Sequence, residues 1–242
     1  MPDARYQMPD KFNRYPVSGI RDLISCSMAY YIHFTDPNST EMEEFLESIP
    51  TCPGTCFFID INKSTDLKYT GGLPDWGRKL NNTFNFISLL NDFPDSIVKG
   101  IGDEIMLFIT DENLRKKKTI NTYYQLLEEI YSTVYNIKSF PVPEMFLPCK
   151  VSIHYCTEVY NVTFFKDAND YYGRDIDLTA RLMTKAQENR IVLSEKFFVK
   201  VQNDLVDLGL PANYGCLSDV SGKFLETFRG VPESTEYRVL DA

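Results

Sequence analysis

The sequence predicts an α+β protein in which helices flank a mainly antiparallel sheet, and three observations support this fold class. Short runs of strand-forming residues alternate with helical patterns from residue 55 onward. Two of the strand runs, 96–100 and 104–110, are separated by only three residues, which predicts a β-hairpin. With 242 residues, 43% of them hydrophobic, the chain is long enough to form one sizeable core.

Residues 1–50 are predicted to form a helical N-terminal extension, and residues 51–242 a single domain. Residues 19–34 carry apolar side chains at mixed helical spacing, and a second helix is expected where Ser39 and Thr40 are possible caps. Nothing in this extension indicates a chemistry.

The domain begins with a predicted strand over residues 55–61, which ends beside an acid and is followed by turn-forming residues. The later elements are expected in this order: helix 74–93, the hairpin, helix 112–137, two strands within 149–165, helix 173–187, strand 190–194, helix 195–205 and closing strands. Hairpins mixed with helices favour a ferredoxin-like α+β sheet over a doubly wound parallel one.

The charge of the chain limits the partners that it is expected to bind. Asp and Glu outnumber Lys and Arg 34 to 25, which gives a formal charge of −9, and the only notable basic run is 115–118. We therefore expect no nucleic-acid partner. An anionic nucleotide would need a metal ion, or local Lys and Arg side chains, to offset the negative field of the protein.

A cytoplasmic protein with no membrane span is expected, because no stretch approaches the roughly 20 apolar residues that cross a bilayer and the N-terminus lacks a secretory signal. The six cysteines are expected to be reduced and mostly buried. Cys52 and Cys56 form one close pair, but no second pair completes a zinc site.

Two acids, Asp60 and Asp103, are predicted to meet at one edge of the sheet. Asp60 lies at the end of the first strand of the domain, and Asp103 lies at the bend of the next hairpin, where Gly100 and Gly102 allow a sharp turn. Two carboxylates held close together repel each other unless a cation lies between them, so a hard divalent metal is the natural ligand. A single Asp in a glycine turn is ordinarily only a turn residue, so the identification depends on the other motifs.

The turn that follows Asp60 is predicted to bind phosphate oxygens through its backbone N–H groups, which belong to Asn62, Lys63, Ser64 and Thr65. Two acids beside such a turn suit a metal–nucleoside triphosphate, because metal ions neutralise both the attacking hydroxyl and the leaving pyrophosphate.

At this point the sequence resembles a known family, the class III nucleotidyl cyclase catalytic domain, over roughly residues 52–240. Four segments carry the resemblance and follow one another in the order and approximate spacing of that family: 57–67, 98–108, 170–183 and 228–240. Residues 150–156 also resemble a strand of the family. The resemblance implies the class III cyclase fold and the conversion of a nucleoside triphosphate to a 3′,5′-cyclic nucleotide and pyrophosphate.

The resemblance also implies roles for individual residues. Asp60 and Asp103, with the carbonyl of Ile61, match the ligands of two Mn²⁺ or Mg²⁺ ions per active site. Lys99 and Asp170 match the pair that reads the base in adenylate cyclases.

Three further positions match residues that contact the ribose and the phosphates. Arg181 matches the arginine that stabilises charge on the α-phosphate. Arg229 occupies the position where the family usually has a lysine that binds the terminal phosphates. The arginine keeps the positive charge, but its planar guanidinium differs in shape from an ammonium. Asp177 replaces an asparagine that orients the ribose; Arg181 follows it by four residues, so the two side chains can pair on a helix.

In that family two active sites form between the subunits of a head-to-tail homodimer, with metal ligands from one chain and Lys, Asp and Arg from the other. Within the family, segments 61–65 and 171–182, together with a catalytic unit that stands almost alone behind a short leader, resemble bacterial pyrimidine cyclases of the Pycsar antiphage systems. This resemblance implies UTP or CTP as substrate, cUMP or cCMP as product, and a separately encoded effector. ATP and GTP stay open, since Lys99 and Asp170 suit a purine equally well.

Two other interpretations are kept. The substitution at Asp177 suits a nucleotide-binding regulatory module that has lost catalysis. Hydrolysis on a similar sheet has little support, because the chain has no Ser-His-Asp order and no cluster of histidines; His154 is interpreted as a strand histidine near the core.

Overall fold

The computed structural model describes residues 29–33, 40–165 and 170–242 of the chain. In chain order the strands are β1 (Tyr30–Tyr31), β2 (Gly54–Ile61), β3 (Ile97–Ile101), β4 (Glu104–Thr110), β5 (Cys149–Cys156), β6 (Val162–Thr163), β7 (Arg190–Ser194), β8 (Phe224–Glu226) and β9 (Thr235–Asp241). The α-helices are α1 (Thr40–Ser48), α2 (Ser64–Thr70), α3 (Leu73–Phe86), α4 (Ser88–Asp92), α5 (Asp111–Lys116), α6 (Tyr123–Ser139), α7 (Arg174–Met183) and α8 (Glu195–Asp207).

Seven strands form one sheet in the order β3-β4-β2-β5-β7-β9-β8. All neighbouring pairs are antiparallel except β5 and β7, which are parallel because helix α7 crosses between them. The predicted fold class, an α+β sheet flanked by helices, is confirmed.

The two faces of the sheet pack against different helices, as the alternation of side chains along a strand requires. From β2, Phe57 and Ile59 are fully buried in the larger core, which also contains the apolar side chains of α6 and α8. Cys56 and Phe58 point to the opposite face and pack with Ile176 and other residues from the α7 side. Helix α7 therefore packs on the face of the sheet to which Asp60 also points.

Two predicted helices are interrupted. The helix expected over 74–93 is broken at Ile87, whose extended backbone (φ −76°, ψ 94°) accompanies a fully buried side chain. The helix expected over 112–137 is two helices, α5 and α6. Lys117 is extended, and Thr122 starts α6 by accepting a 3.1 Å hydrogen bond from the amide of Gln125. Both regions are helical, as predicted. The buried Ile87 divides the first region into two helices, and the cap at Thr122 divides the second.

The N-terminal extension is only partly described. Helix α1 agrees with the second predicted helix, although Ser39 lies outside the described residues, as does most of the range 19–34. At the end of that range Tyr30–Tyr31 is a strand instead of a helix and pairs in parallel with β6. The second strand expected within 149–165 therefore forms a separate two-stranded sheet with the extension.

Five cysteines lie in the described residues, and all five are free and buried, as expected; Cys26 lies outside the described residues. Within the part of the chain that the structure describes, no helix combines the length and the apolar character needed to cross a bilayer.

Helix α8 offers a matched test of the larger core. Val201 is fully buried, whereas Val206 is 75% exposed on the same helix. We expect Val201→Ala to lower the free energy of unfolding by about 2 kcal/mol, because it removes buried methyl groups and leaves a cavity. Val206→Ala is expected to change it by less than about 0.5 kcal/mol. Urea denaturation of both variants measures the difference, and equal losses would contradict this packing.

Candidate active site

The hairpin of β3 and β4 places Asp103 beside the end of β2. Gly102 opens the two-residue loop with a φ of 70°, a conformation that favours glycine, whereas Gly100 lies within β3 and does not bend the chain. The amide of Ile61 then donates a 3.2 Å hydrogen bond to the carbonyl of Asp103. The main chain thus brings the two predicted metal-binding segments together at one edge of the sheet.

A third acid, Glu104, directly follows Asp103 in the chain and lies opposite Asp60 in the sheet. The sequence analysis did not identify it. Glu104 pairs directly across the strands with Asp60, so both side chains lie on the same face of the sheet. Burial raises the pKa of Glu104, the charges of Asp60 and Asp103 raise it further, and Lys150 opposes them. The only sequence signal was an acid directly after Asp103 at the start of a strand.

Counter-charges surround these acids. The ammonium of Lys150 on β5 lies 2.8 Å from Oδ2 of Asp60, and Lys68 of α2 lies 3.9 Å from Oδ1 of Asp103. The hydroxyl of Ser64 donates to the carboxylate of Asp103. All the anionic ligands at this edge are carboxylate oxygens, which are the donors that Mg²⁺ and Mn²⁺ prefer.

The turn after Asp60 offers fewer phosphate donors than the sequence predicts. The amide of Asn62 donates a 2.8 Å hydrogen bond to the carbonyl of Pro148, so it is not available to a ligand. Lys63 has a positive φ of 65° and precedes helix α2, whose first residue is the buried Ser64. The amides of Lys63, Ser64 and Thr65 are left as the candidate donors.

The two residues predicted to read the base form an ion pair within one chain. Nζ of Lys99 lies 3.0 Å and 2.9 Å from the two carboxylate oxygens of Asp170. The ring centroid of Tyr172 lies 5.6 Å from the same ammonium. Burial and the neighbouring Asp170 raise the pKa of Tyr172, so its hydroxyl is protonated. Tyr172 is a third polar group beside the Lys99–Asp170 ion pair, and the sequence analysis did not identify it.

Helix α7 presents Asp177 and Arg181 to solvent, and Arg181 lies close to the loop that carries Arg229. A Cβ atom placed on Gly230 would lie 3.7 Å from Nη2 of Arg181. Both side chains are exposed, and the pairing of Asp177 with Arg181 that their spacing allows does not occur. Throughout the described ranges, neither Arg181 nor Arg229 takes part in an ion pair.

A buried histidine–carboxylate pair fixes the start of α7 to β5. Nε2 of His154 lies 3.3 Å from Oδ1 of Asp175, and Oδ2 of Asp175 accepts hydrogen bonds from the amides of Thr157 (2.7 Å) and Glu158 (3.0 Å). Burial lowers the pKa of His154. Burial alone would raise the pKa of Asp175, but these hydrogen bonds outweigh it and hold the pKa well below its usual range. The interpretation of His154 as a core strand histidine is confirmed, and Asp175 was missed.

His154, Cys156 and Asp175 also form a buried group whose ligand atoms lie within 4.8 Å of one another. Nitrogen and sulfur donors suit zinc better than Mg²⁺ or Mn²⁺. Burial holds the pKa of the Cys156 thiol well above its ordinary value, and the Asp175 carboxylate is already hydrogen-bonded to His154, Thr157 and Glu158. We therefore interpret this group as an anchor of α7.

The predicted site residues of one chain lie on different elements. The acids lie at the end of β2 and in the β3–β4 loop, whereas the exposed arginines lie on α7 and beside Gly230. In the described part of the molecule, no ion pair joins Asp60 or Asp103 to Arg181 or Arg229.

Comparison with solved structures gives adenylyl and guanylyl cyclase domains. The adenylyl cyclase CyaB from P. aeruginosa superposes with a TM-score of 0.60 at 17% identity, covering 81% of this chain and 97% of that one. The guanylate cyclase domain of RhGC from Catenaria anguillulae, in complex with GTP, superposes with a TM-score of 0.57 at 13% identity, covering 79% of this chain and 97% of that one. An adenylate cyclase from Trypanosoma brucei, described in its monomeric state, superposes with a TM-score of 0.55 at 17% identity, covering 79% of this chain and 88% of that one.

The sequence itself matches no family model and no curated protein. At these identities the structural similarity establishes the fold. The chain has the fold of the class III adenylyl and guanylyl cyclase catalytic domains.

The buried His154 predicts how stability depends on pH. Its pKa in the folded protein is below the ordinary value of 6.5, and burial and nearby Lys196 both disfavour the charged ring. As the pH falls below about 6.5, the unfolded chain binds a proton that the folded chain does not, so stability is lost by up to about 1.4 kcal/mol per pH unit.

Denaturation between pH 7 and pH 5.5 measures this loss. The chain has two histidines, so His33→Gln is the matched control and should keep the wild-type slope of unfolding free energy against pH. The variant His154→Gln is expected to have a shallower slope. A wild-type slope in the His154→Gln variant would contradict this account, because it would show that the pKa of His154 does not differ between the folded and the unfolded chain.

Proposed function

We propose that the protein is a nucleotidyl cyclase, which converts a nucleoside triphosphate to a 3′,5′-cyclic nucleotide and pyrophosphate. The observation that carries this proposal is the meeting of Asp60 and Asp103 at one sheet edge, on a fold shared with adenylyl and guanylyl cyclase domains.

The acidic edge suits two divalent metal ions. Asp60, Asp103 and the carbonyl of Ile61 would hold them, with Glu104 adjacent, because oxygen ligands fit Mn²⁺ and Mg²⁺. When bound, such ions favour ionisation of the ribose 3′-hydroxyl and neutralise charge on the phosphates. Glu104 adds negative charge that two lysines offset in part.

The chain's own side chains then position the triphosphate. The 3′-oxygen attacks the α-phosphorus, its proton is released, and the bond to the oxygen of the β-phosphate breaks, so that pyrophosphate leaves. Arg181 stabilises the charge that develops on the α-phosphate, because a guanidinium donates two parallel hydrogen bonds. Arg229 and the amides of residues 63–65 hold the terminal phosphates. Asp177 accepts a hydrogen bond from a ribose hydroxyl.

We propose that two chains form a head-to-tail homodimer, with the acids of one chain and the arginines of the other completing each site. The placement of the acids at the end of β2 and of the arginines on α7 and beside Gly230 supports this assembly. Exposed arginines without carboxylate partners are available for phosphates across the interface.

Lys99 and Asp170 would read the base, since an ammonium donates hydrogen bonds and a carboxylate accepts them. We favour UTP or CTP, with cUMP or cCMP as a cytoplasmic antiphage messenger for a separately encoded effector, on the resemblance of the sequence to Pycsar cyclases. ATP and GTP are the alternative substrates.

A second candidate is a nucleotide-binding module without catalysis. The exposed Asp177, which has no ion-pair partner in the described residues, favours it, because an uncompensated acid near a triphosphate opposes binding of the reacting group. A rise in melting temperature with nucleotide and Mn²⁺, without any product, would identify this module.

Incubation with each of the four nucleoside triphosphates and Mn²⁺, followed by chromatography, tests the proposed reaction. We expect one cyclic nucleotide to predominate and Asp103→Asn to reduce its rate by at least about 100-fold, because a neutral amide is a poor metal ligand. Asp207→Asn, an exposed position on α8, is the matched control and should keep the rate. Absence of any cyclic product would contradict catalysis.

Mixing two inactive variants tests the composite site. Asp103→Asn removes a metal ligand and Arg181→Ala removes the phosphate arginine, so in a mixed dimer one site loses both residues and the other keeps both. Random reassortment of a two-fold dimer predicts about a quarter of the wild-type activity. No recovery after subunit exchange, verified by labelled subunits, would show that each chain supplies both residues to one site.

A further inference from the structure

We propose that Lys185 and Glu226 are positioning residues, which together hold the loop that carries Arg229 against the end of helix α7. The loop joins β8 to β9 and consists of residues 227–234. This inference rests on the proposed function, in which Arg229 binds the terminal phosphates and Arg181 the α-phosphate. Neither Lys185 nor Glu226 lies in a segment that resembles the cyclase family.

The loop presents Arg229 from a tight turn. The amide of Val231 donates a 3.0 Å hydrogen bond to the carbonyl of Phe228, so Arg229 and Gly230 are the two central residues of the turn. Gly230 has a φ of 81°, a conformation that favours glycine at the second central position. The position of the whole turn therefore determines where Arg229 lies.

An apolar contact holds one side of this turn. Phe228 is buried in a small cluster with Leu182 of α7, Val192 of β7 and Tyr237 of β9. Burial of apolar surface is favourable but has no preferred direction. This cluster therefore keeps the turn close to α7 and leaves its orientation to polar contacts.

The ion pair of Lys185 and Glu226 supplies a directional contact. Lys185 follows α7 by two residues, and its amide donates a 2.9 Å hydrogen bond to the carbonyl of Leu182. Its ammonium lies 2.8 Å from Oε2 of Glu226, the last residue of β8. The same ammonium lies 5.7 Å from the ring centroid of Phe228, within range of a cation–π contact. One lysine thus joins the end of α7 to both the start and the anchor of the loop.

This restraint matters because the loop carries one cation toward another. A Cβ atom placed on Gly230 would lie 3.7 Å from Nη2 of Arg181, and the residue before Gly230 is the exposed Arg229. Without a restraint, repulsion between the two guanidinium groups would favour loop positions that separate them. A loop that is already held in place lowers the ordering cost of binding a triphosphate.

The effect of Glu226 distinguishes positioning from direct electrostatics. Glu226 lies three residues before Arg229, so its negative charge opposes an anion bound there. If charge alone mattered, removing this acid would tighten phosphate binding. If Glu226 positions the loop through Lys185, removing the acid weakens phosphate binding. The same neutral substitution therefore gives opposite results under the two accounts.

The test measures binding of inorganic tripolyphosphate with Mn²⁺ to the full-length protein by isothermal titration calorimetry, which requires neither catalysis nor a choice of base. We expect Glu226→Gln and Lys185→Met each to weaken binding by about fivefold, the upper range for an ion pair of this exposure. Combining Lys185→Glu with Glu226→Lys restores an ion pair and should recover most of the affinity. Lys185→Gln is a second neutral variant in case Lys185→Met does not fold.

A double-mutant cycle shows whether Lys185 acts through Arg229. Arg229→Ala should weaken binding by at least about fivefold, and adding Lys185→Met should cause little further loss, because the residue to be positioned is absent. Lys223→Met is the matched control. It removes a lysine that lies 3.0 Å from Glu236 at the other end of the same hairpin, and it should keep the affinity within about twofold of the wild type.

Unchanged or tighter binding in Glu226→Gln, or additive losses from Lys185→Met and Arg229→Ala, would overturn the positioning role and leave the proposed function intact. A wild-type protein that does not bind tripolyphosphate, or an Arg229→Ala variant with wild-type affinity, would overturn the phosphate-binding role of Arg229 and this inference with it.

Discussion

The candidate site depends on one electrostatic constraint: the sheet holds like charges together. Strand pairing aligns Glu104 with Asp60, and the hairpin loop brings Asp103 to the end of β2. Mutual repulsion of these carboxylates must be compensated; burial first, and then the charges of Asp60 and Asp103, raise the pKa of Glu104. Lys150, Lys68 and the hydroxyl of Ser64 supply the compensation within the chain, and divalent ions are the ligands that would replace it.

The fold also positions a positively charged group, which lies on other elements than the acids. Helix α7 crosses the face of the sheet and is held there by the buried pair of His154 and Asp175, so Arg181 has a defined place beside the loop of Arg229 and Gly230. The helix is fixed at its first turn, and the exposed side chains of Asp177 and Arg181 face solvent. The proposal that two chains share a site starts from these exposed arginines without carboxylate partners.

The sequence was most informative where the chemistry is local. Asp60 and Asp103 each lie at a strand end or a glycine turn that short motifs reveal, and the strands and helices around them were predicted with small errors at caps and buried turns. Glu104 and Lys150 were not found, because their meaning depends on which strands pair and in which register, and single-strand patterns do not encode that. The four-residue spacing of Asp177 and Arg181 allowed an ion pair that does not form, whereas Glu112 and Lys116 form one at the same spacing. Exposed pairs of this kind contribute little free energy, so spacing alone does not determine which of them form.

The position of bound metal tests the account most directly. Crystals grown with Mn²⁺ and an α,β-methylene nucleoside triphosphate, measured at the manganese absorption edge, should give anomalous density between the carboxylates of Asp60 and Asp103, within about 2.2 Å of their oxygens. Manganese bound at His154, Cys156 and Asp175 instead, with none at the acidic edge, would contradict the account.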